Sequence, residues 1–484
     1  MQDLKKARDY VSQHYVASDT RPRFHVSPPI GWLNDPNGFS EFQGKVHLFY
    51  QYHPYDIKWG PMHWGHQVTE DMVVWKDLPV ALAPDQWYDQ EGCFSGSAVE
   101  HEGKHYLIYT GVRKQENSSG QIEAVQDQCL AVGDGLDYKK VNLNPVLTGN
   151  LLPDGFSREH FRDPKVWKAD GRYNLVAGNL DTDGRGQIQL FSSHNLQEWS
   201  YKGVLASDDT GEYGSMWECP DFFEIDGQSV LICSPQHMKA KDLEFHNGHN
   251  SVYFIGNYDR ENHKFDKGEG KSLDYGLDFY APQTCRLSDG RQILIGWMKS
   301  WNSISDLENL EWQAMMTLPR ELSLEDGKLI QQPIRELEAY RQNKLQFSTT
   351  IDGAYQEPDL KGRFIDLQLS LAGKEWTTFQ IDLACNDDLY TSFKFTRLTD
   401  TLEVDRTYSG LRLDQNCFRK VAVDLQDSIT CRFILDSHSI ELFINGGKQV
   451  FSMEIETPLE ADGIRFQSQG LVTLAVENYD IITK

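Results

Sequence analysis

The chain has 484 residues with 39% hydrophobic and 12% aromatic content, which is enough for two globular domains rather than one core. Its formal net charge of −25 argues against nucleic acid or an anionic membrane as a partner, because both attract clustered Lys and Arg. No apolar run is long enough for a membrane span, and none of the eight cysteines forms a CxxC pair, which disfavours a zinc ribbon.

Residues 1–20 are predicted to form a short amphipathic helix. Leu4, Ala7, Val11 and Tyr15 lie at helical spacing and mark one apolar stripe, which favours a helix packed on the body of the protein. The start of the chain lacks the apolar stretch of a secretory signal, and we therefore expect a cytoplasmic location.

Residues 21–330 contain five copies of one short pattern, in which a glycine and a polar residue precede an apolar strand. Successive glycines of this pattern lie 59, 68, 56 and 63 residues apart, at Gly44, Gly103, Gly171, Gly227 and Gly290. This period is typical of a four-stranded blade of a β-propeller. The sequence therefore predicts an all-β fold that begins with a five-bladed β-propeller catalytic domain.

The pattern changes after the fifth repeat. Residues 331–345 are predicted to be a linker, with a helix from Pro333 to Leu345 that carries proline in its first turn. Residues 346–484 alternate apolar and polar side chains without the earlier repeat, and Asn445-Gly-Gly447 is a strong hairpin signal. We interpret this region as a β-sandwich domain that follows the propeller.

A polar side chain stands eight to ten residues before each glycine of the repeat, at Asp35, Ser95, Asp163, Glu218 and Tyr280. Because equivalent positions of the blades meet around the axis of a propeller, we expect all five to face one central pocket. Three of them are carboxylates, and a pair of carboxylates is what glycoside hydrolysis requires. The separation of the pair decides between retention and inversion, and both outcomes are open at this point.

Each carboxylate has a structural interpretation beside the catalytic one. Asp35 precedes Pro36 and Gly38, so it is either a nucleophile held on a sharp turn or simply part of a good turn. Asp163 follows Arg162, which tends to keep it ionised, either to stabilise positive charge or as a structural ion pair.

Glu218 is predicted to be the general acid. Burial and two neighbouring carboxylates would raise its pKa, as an acid working near neutral pH requires. The alternative is a buried glutamate whose hydrogen bonds are satisfied by the backbone.

Further side chains are expected to reach the same pocket, namely Gln51, Trp59, Phe94, Ser95 and Trp297. The three rings among them fit the core equally well. His63 and His66 are interpreted as structural, and Asp181-Thr-Asp-Gly184 lacks the later ligands of a calcium loop. We therefore predict no metal.

Four motifs together resemble the signature of glycoside hydrolase family 32, which comprises invertases, sucrose-6-phosphate hydrolases, inulinases and related fructan hydrolases. They are Trp32-Leu-Asn-Asp-Pro-Asn-Gly38, Phe94-Ser-Gly-Ser97, Phe161-Arg-Asp-Pro164 and Trp217-Glu-Cys-Pro220, in the order of the family. The resemblance runs from about residue 21 to the end of the chain. It implies a five-bladed propeller followed by a β-sandwich, cleavage of terminal β-fructofuranosides with retention, and no cofactor.

The resemblance also implies roles for individual residues. Asp35 matches the nucleophile, Glu218 the acid and base, and Asp163 with Arg162 the pair that binds the fructosyl ring and stabilises the transition state. The remaining matches line the fructose subsite, at Asn34, Gln51, Trp59, Phe94, Ser95 and Trp297.

Within the family, Trp64-Gly-His66 and Asp278-Phe-Tyr-Ala-Pro-Gln283 are most similar to bacterial intracellular sucrases. The expected substrate is therefore a small sugar, either sucrose or sucrose 6-phosphate. Other functions stay open, among them a hydrolase of short fructo-oligosaccharides, a fructosyltransferase, an inverting arabinosidase or xylosidase, and a carbohydrate-binding protein without activity.

Overall fold

A computed structural model describes residues 3–17, 21–116, 119–302, 310–410, 416–425 and 428–483. Helix α1 (Leu4–Gln13) begins after Asp3, whose side chain accepts a hydrogen bond from the Lys5 N–H at 2.9 Å. Ala7 is buried, and Arg8 donates from Nε to the Val80 carbonyl at 2.8 Å, which fixes the helix to the first blade. Residues 1, 2 and 18–20 of the predicted segment lie outside the described residues.

Five antiparallel sheets follow one another in the chain, as the glycine repeat predicts. The first sheet contains β1 (Gly31–Phe42), β2 (Lys45–His53), β3 (His63–Thr69) and β4 (Lys76–Leu82). The second contains β5 (Gly92–His101), β6 (Lys104–Glu116), β7 (Ile122–Gly133) and β8 (Tyr138–Lys140). The third contains β9 (Phe161–Ala169), β10 (Arg172–Leu180), β11 (Gly186–Ser193) and β12 (Trp199–Ser207).

The fourth blade has one additional short strand, whereas the fifth has four strands. The fourth contains β13 (Trp217–Ile225), β14 (Gln228–Pro235), β15 (Val252–Asp259), β16 (Lys264–Lys267) and β17 (Lys271–Ser272). The fifth contains β18 (Tyr280–Arg286), β19 (Gln292–Trp297), β21 (Arg320–Glu325) and β22 (Lys328–Pro333). A short strand between β19 and β21 in sequence, β20 (Trp312–Gln313), pairs with β1 instead. It connects the last part of the propeller to the first blade.

The strands after the propeller belong to one hydrogen-bonded sheet of ten. They are β23 (Arg341–Tyr355), β24 (Ile365–Ala372), β25 (Thr378–Cys385), β26 (Thr391–Thr396), β27 (Thr401–Asp405), β28 (Phe418–Ala422), β29 (Ser428–Asp436), β30 (Ser439–Ile444), β31 (Gln449–Glu454) and β32 (Gly463–Ile481). The long strand β32 pairs with β25 through its first half and with β24 through its second, so it contributes to both layers. The layers enclose one apolar core, and the predicted propeller followed by a β-sandwich is confirmed.

The helix predicted from Pro333 to Leu345 is wrong. A single 3₁₀ segment covers Arg335–Tyr340, and β23 begins at Arg341. Residues 345–355 alternate in burial, and the backbone of β23 pairs with β32, so the hydrogen bonds of the sheet outweigh local helix propensity. The predicted linker 331–345 is thus largely strand, with only residues 334–340 between the two sheets.

Two other 3₁₀ segments cover Gly149–Leu151 and Arg397–Thr399. In the described part of the chain, α1 is too short and too polar to cross a membrane and no other helix is a candidate for doing so.

Candidate active site

The innermost strand of every blade carries an irregularity at the position singled out by the repeat. The pairing register shifts between Leu33 and Pro36, Phe94 and Gly96, Arg162 and Lys165, Glu218 and Asp221, and Tyr280 and Gln283. A bulge bends the strand and redirects its side chain. Three of these bulges place a non-glycine residue in the left-handed region, at Asp163 (φ +64°), Cys219 (φ +47°) and Ala281 (φ +50°).

Asp35 is held by side chains from two blades. Its Oδ2 accepts hydrogen bonds from Gln51 Nε2 at 3.1 Å and from Ser95 Oγ at 2.6 Å, and its Oδ1 accepts one from Asn34 Nδ2 at 3.1 Å. Gln51 Nε2 also donates to Ser95 Oγ. The carboxylate is 7% exposed, so its orientation is set by the protein while one face remains open.

Cys219 connects three carboxylates, Asp35, Asp163 and Glu218, which we call the carboxylate cluster. Its N–H donates to Asp163 Oδ2 at 3.0 Å, and its thiol lies 3.5 Å from Asp35 Oδ2. Since Glu218 precedes Cys219 in the chain, the acids from the first, third and fourth blades meet around one residue. The cluster brought together by the fold is the one that the repeat phase predicts.

Arg162 binds Glu218 more closely than it binds Asp163. Its Nε and Nη2 donate to Glu218 Oε1 at 3.1 and 2.9 Å, whereas its Nε lies 3.8 Å from Asp163 Oδ2. Tyr280 OH lies 2.6 Å from Glu218 Oε2 and 2.9 Å from the Ser234 carbonyl, and its single proton can be donated to one of them at a time. Glu218 is therefore the member of the cluster with the strongest hydrogen-bond donors.

These contacts shift the pKa values of the three carboxylates in different directions. Burial raises the pKa of Asp163 to about 7, with Arg162 opposing and the charges of Glu218 and Asp35 adding to the shift. Burial also raises the pKa of Asp35, although Ser95 and Asn34 donate to it. Burial and the neighbouring negative charges therefore favour a proton on Asp163.

The expectation of a raised pKa for Glu218 is wrong for the unliganded protein. Burial acts in that direction, but the Arg162 guanidinium, with help from the Tyr280 hydroxyl, outweighs it and lowers the pKa below the ordinary value. The sequence expectation placed Arg162 beside Asp163 because the two are adjacent in the chain. In the bulge, successive side chains point differently, and the guanidinium reaches across to the next blade.

The predicted aromatic residues differ in their positions. Trp59 is 48% exposed and makes an edge-to-face contact with Phe94 at 6.0 Å between ring centroids, so these two form an open wall. Trp297 has no exposed surface and packs against Trp32 and Trp301 at 5.9 and 5.0 Å. Of the two interpretations of Trp297, pocket wall or core, the structure favours the core: the ring is buried between Trp32 and Trp301.

Two residues of the site were not among the predicted binding residues. Tyr280 occupies the fifth repeat position, so the repeat phase contained the signal for it. Cys219 was quoted only as part of a motif, and its double contact depends on the positive φ at that position, which local sequence does not reveal.

A cavity of about 860 Å³ lies away from the carboxylate cluster. It is lined by the later residues of the same inner strands, such as Glu41, Glu100 and Arg286, and includes the ion pair between Lys165 and Asp221 at 2.9 Å. It is therefore the other end of the propeller axis. The carboxylate cluster lies at the end at which the inner strands begin.

Comparison with known proteins agrees with this geometry. The family models for the N-terminal and C-terminal domains of glycosyl hydrolases family 32 match residues 25–333 and 336–482. The chain is 39% identical to a sucrose-6-phosphate hydrolase of Escherichia coli over 94% of its length and 93% of that protein. It is 37% identical to the sucrose-6-phosphate hydrolase of Bacillus subtilis over 89% of its length and 88% of that protein.

Solved structures are similar along the whole chain. A β-fructofuranosidase of Bombyx mori has a TM-score of 0.86 at 32% identity, covering 99% of this chain and 98% of that one. A sucrose-6-phosphate hydrolase from Lactobacillus gasseri has a TM-score of 0.85 at 27% identity, covering 100% of this chain and 97% of that one.

Proposed function

We propose that this chain, which belongs to glycoside hydrolase family 32, is a retaining β-fructofuranosidase that hydrolyses sucrose or sucrose 6-phosphate. The observation that carries the proposal is the meeting of Asp35, Asp163 and Glu218 around Cys219 at the site end of the propeller. The relatives named as sucrose-6-phosphate hydrolases support the choice of substrate.

In the proposed reaction Asp35 is the nucleophile. Its carboxylate oxygen forms a bond to the anomeric carbon of the fructosyl unit while the bond from that carbon to the leaving sugar breaks. Gln51, Ser95 and Asn34 hold the carboxylate in one orientation, so little reorganisation precedes attack. Water then cleaves the fructosyl ester, and a second inversion at the same carbon gives overall retention.

Glu218 is the proposed acid, then the base. It donates a proton to the oxygen of the leaving sugar and later removes one from the attacking water. For the first step it needs the proton that the unliganded cluster favours on Asp163. Fructosyl hydroxyls donating to Asp163 would stabilise its ionised form and so transfer the shared proton to Glu218. Ionised Asp163 then stabilises the positive charge of the transition state.

The pH dependence of kcat/KM tests this shared proton. A group with a raised pKa is protonated below that pKa, so the acid form should be available below about pH 7 and be lost above it. We expect kcat/KM for sucrose to fall on the alkaline side of about pH 7. An activated aryl fructoside, whose leaving group needs no proton, should not show this fall. The same alkaline fall for both substrates would contradict the proposal.

The leaving sugar has to lie on the Glu218 side of the site, since Glu218 protonates its oxygen. There the centroid of the His249 ring lies 5.6 Å from that of Tyr280 and 5.4 Å from that of His237. His237 is exposed. We propose these imidazoles as donors to the leaving sugar, because a phosphate on that sugar would bind to them better than a hydroxyl would.

Replacing His237 with alanine is therefore expected to raise KM for sucrose 6-phosphate by roughly tenfold and to change KM for sucrose much less. Steady-state kinetics with both substrates measure the difference. His263→Ala, which removes an imidazole at the opposite end of the propeller, is the matched control and should change neither value. Equal losses for both substrates would show that His237 does not recognise phosphate.

The substrate itself is tested by comparing kcat/KM for sucrose, sucrose 6-phosphate, kestose and inulin. A large preference for sucrose 6-phosphate would identify a hydrolase of the phosphorylated sugar, and similar rates on sucrose and kestose would identify a general β-fructofuranosidase. Product analysis at high sucrose concentration separates hydrolysis from fructosyl transfer. No release of fructose from any of the four would refute the proposed function.

A further inference from the structure

Glu454, the last residue of β31, joins the sandwich to the propeller at the site end. It has no exposed surface, and its Oε2 lies 3.3 Å from Nζ of Lys299. Its N–H donates to Asp278 Oδ2 at 2.8 Å, and its carbonyl accepts from Arg406 Nη1 at 3.0 Å. Lys299 and Asp278 belong to the propeller, and they lie two residues after Trp297 and two before Tyr280.

Lys299 is connected to Asp35 through contacts of two side chains, those of Trp32 and Asn34. Its ammonium lies 5.9 Å from the centroid of the Trp32 ring, in the range of a cation–π contact. Trp32 Nε1 donates to Asn34 Oδ1 at 2.8 Å, and Asn34 Nδ2 donates to Asp35 Oδ1 at 3.1 Å. The position of Lys299 therefore influences the Trp32 indole, which orients the Asn34 amide that donates to Asp35.

Asp278 is connected to Glu218 through Tyr280, two residues later in the chain. Both Nη atoms of Arg406 donate to its carboxylate, and neither Asp278 nor Arg406 has any exposed surface. The backbone N–H of Asp278 also donates to the Ser452 carbonyl of β31 at 3.1 Å. The start of β18 is thus held by the sandwich, and Tyr280 at that start reaches Glu218 Oε2 at 2.6 Å.

Stability alone is a weak reason for these buried charges. A buried ion pair often contributes no more to folding than apolar side chains of the same size, because both charges lose their hydration. Burial raises the pKa of Glu454 to about 7, and the contact with Lys299 opposes that shift. What the pair does provide is a defined position for each partner.

We propose that the Glu454 carboxylate is a positioning residue of the reaction, through which the β-sandwich holds Lys299 beside the Trp32–Asn34–Asp35 contacts. The contact with Asp278 is made by the Glu454 backbone N–H and is kept in a side-chain variant. This proposal rests on the function proposed above. It assigns to the sandwich a part in the chemistry of the propeller that reaches beyond holding the blades together.

The variant Glu454→Gln tests the proposal because it keeps the shape of the side chain and removes its charge. We expect kcat for sucrose to fall by roughly tenfold to 100-fold, with a much smaller change in KM, since a small misplacement of catalytic groups costs this much. The matched control is Asp436→Asn, another fully buried carboxylate on the same face of the sandwich, which binds His25 at 2.8 Å. It should lower the midpoint of thermal unfolding without changing kcat.

The double variant Lys299→Met/Glu454→Gln separates positioning from stability. With both charges of this ion pair removed, neither is left buried without the other, and thermal unfolding should return toward that of the parent protein. We expect kcat to stay low, because no cation remains beside Trp32. A kcat that recovers together with stability, or a Glu454→Gln protein with parental kcat, would overturn the proposal. Failure of the parent protein to release fructose would instead refute the underlying function, before any variant is compared.

Discussion

Asp35→Ala is expected to lower kcat for sucrose by at least about 10⁴-fold, equivalent to about 5 kcal/mol of transition-state stabilisation. No second carboxylate can take the place of Asp35, because Asp163 Oδ2 accepts the Cys219 N–H and Glu218 is bound by Arg162 and Tyr280. Steady-state kinetics measure the loss, and calorimetric titration should show that the variant still binds sucrose.

The same substitution should leave the fold intact or slightly stabilise it. Because burial raises the pKa of Asp35, ionising this group at neutral pH costs folding free energy, and removing the group removes that cost. The midpoint of thermal unfolding is therefore expected to stay equal or to rise. A variant that unfolds at a much lower temperature would show that Asp35 is a structural residue, and its lost activity would then carry no mechanistic meaning.

Glu218→Ala has the second largest expected effect, and this effect depends on the substrate. The glucose unit of sucrose is a poor leaving group that needs a proton, so kcat should fall by roughly 10²- to 10⁴-fold. An activated aryl fructoside needs no proton, and its fructosylation step should be much less affected. The ratio of the two losses, measured in single-turnover experiments that isolate the first step, is the test.

Equal losses for sucrose and the activated substrate would remove the assignment of Glu218 as acid. A matched control is available in Glu224, an exposed carboxylate farther along the same strand, β13, which pairs with Arg260 at 2.6 Å. Glu224→Ala should leave both rates unchanged. The anomeric configuration of the released fructose tests the double displacement separately, because an inverting three-carboxylate hydrolase would release the opposite anomer.

Much of the architecture was predictable because the fold repeats. Five glycine-and-strand patterns at similar spacing predict five similar sheets, and equivalent positions of such sheets converge on the axis whatever the details of the loops. This is why the three carboxylates were identified before any distance was known. The helix predicted near Pro333 failed because its evidence was local, whereas pairing of β23 with β32 joins residues more than a hundred positions apart.

For the site, too, the sequence determines some features and the tertiary structure determines others. Residue type and repeat phase on their own determined the five-bladed fold, the family resemblance and the carboxylate cluster. The tertiary structure decided that Arg162 binds Glu218, that burial raises the pKa of Asp163, that Trp297 is buried in the core and that Glu454 pairs with Lys299. Each of these depends on distances across different blades or domains and on burial. Such quantities arise only when distant segments pack together, since one chain segment contains no record of what will surround it.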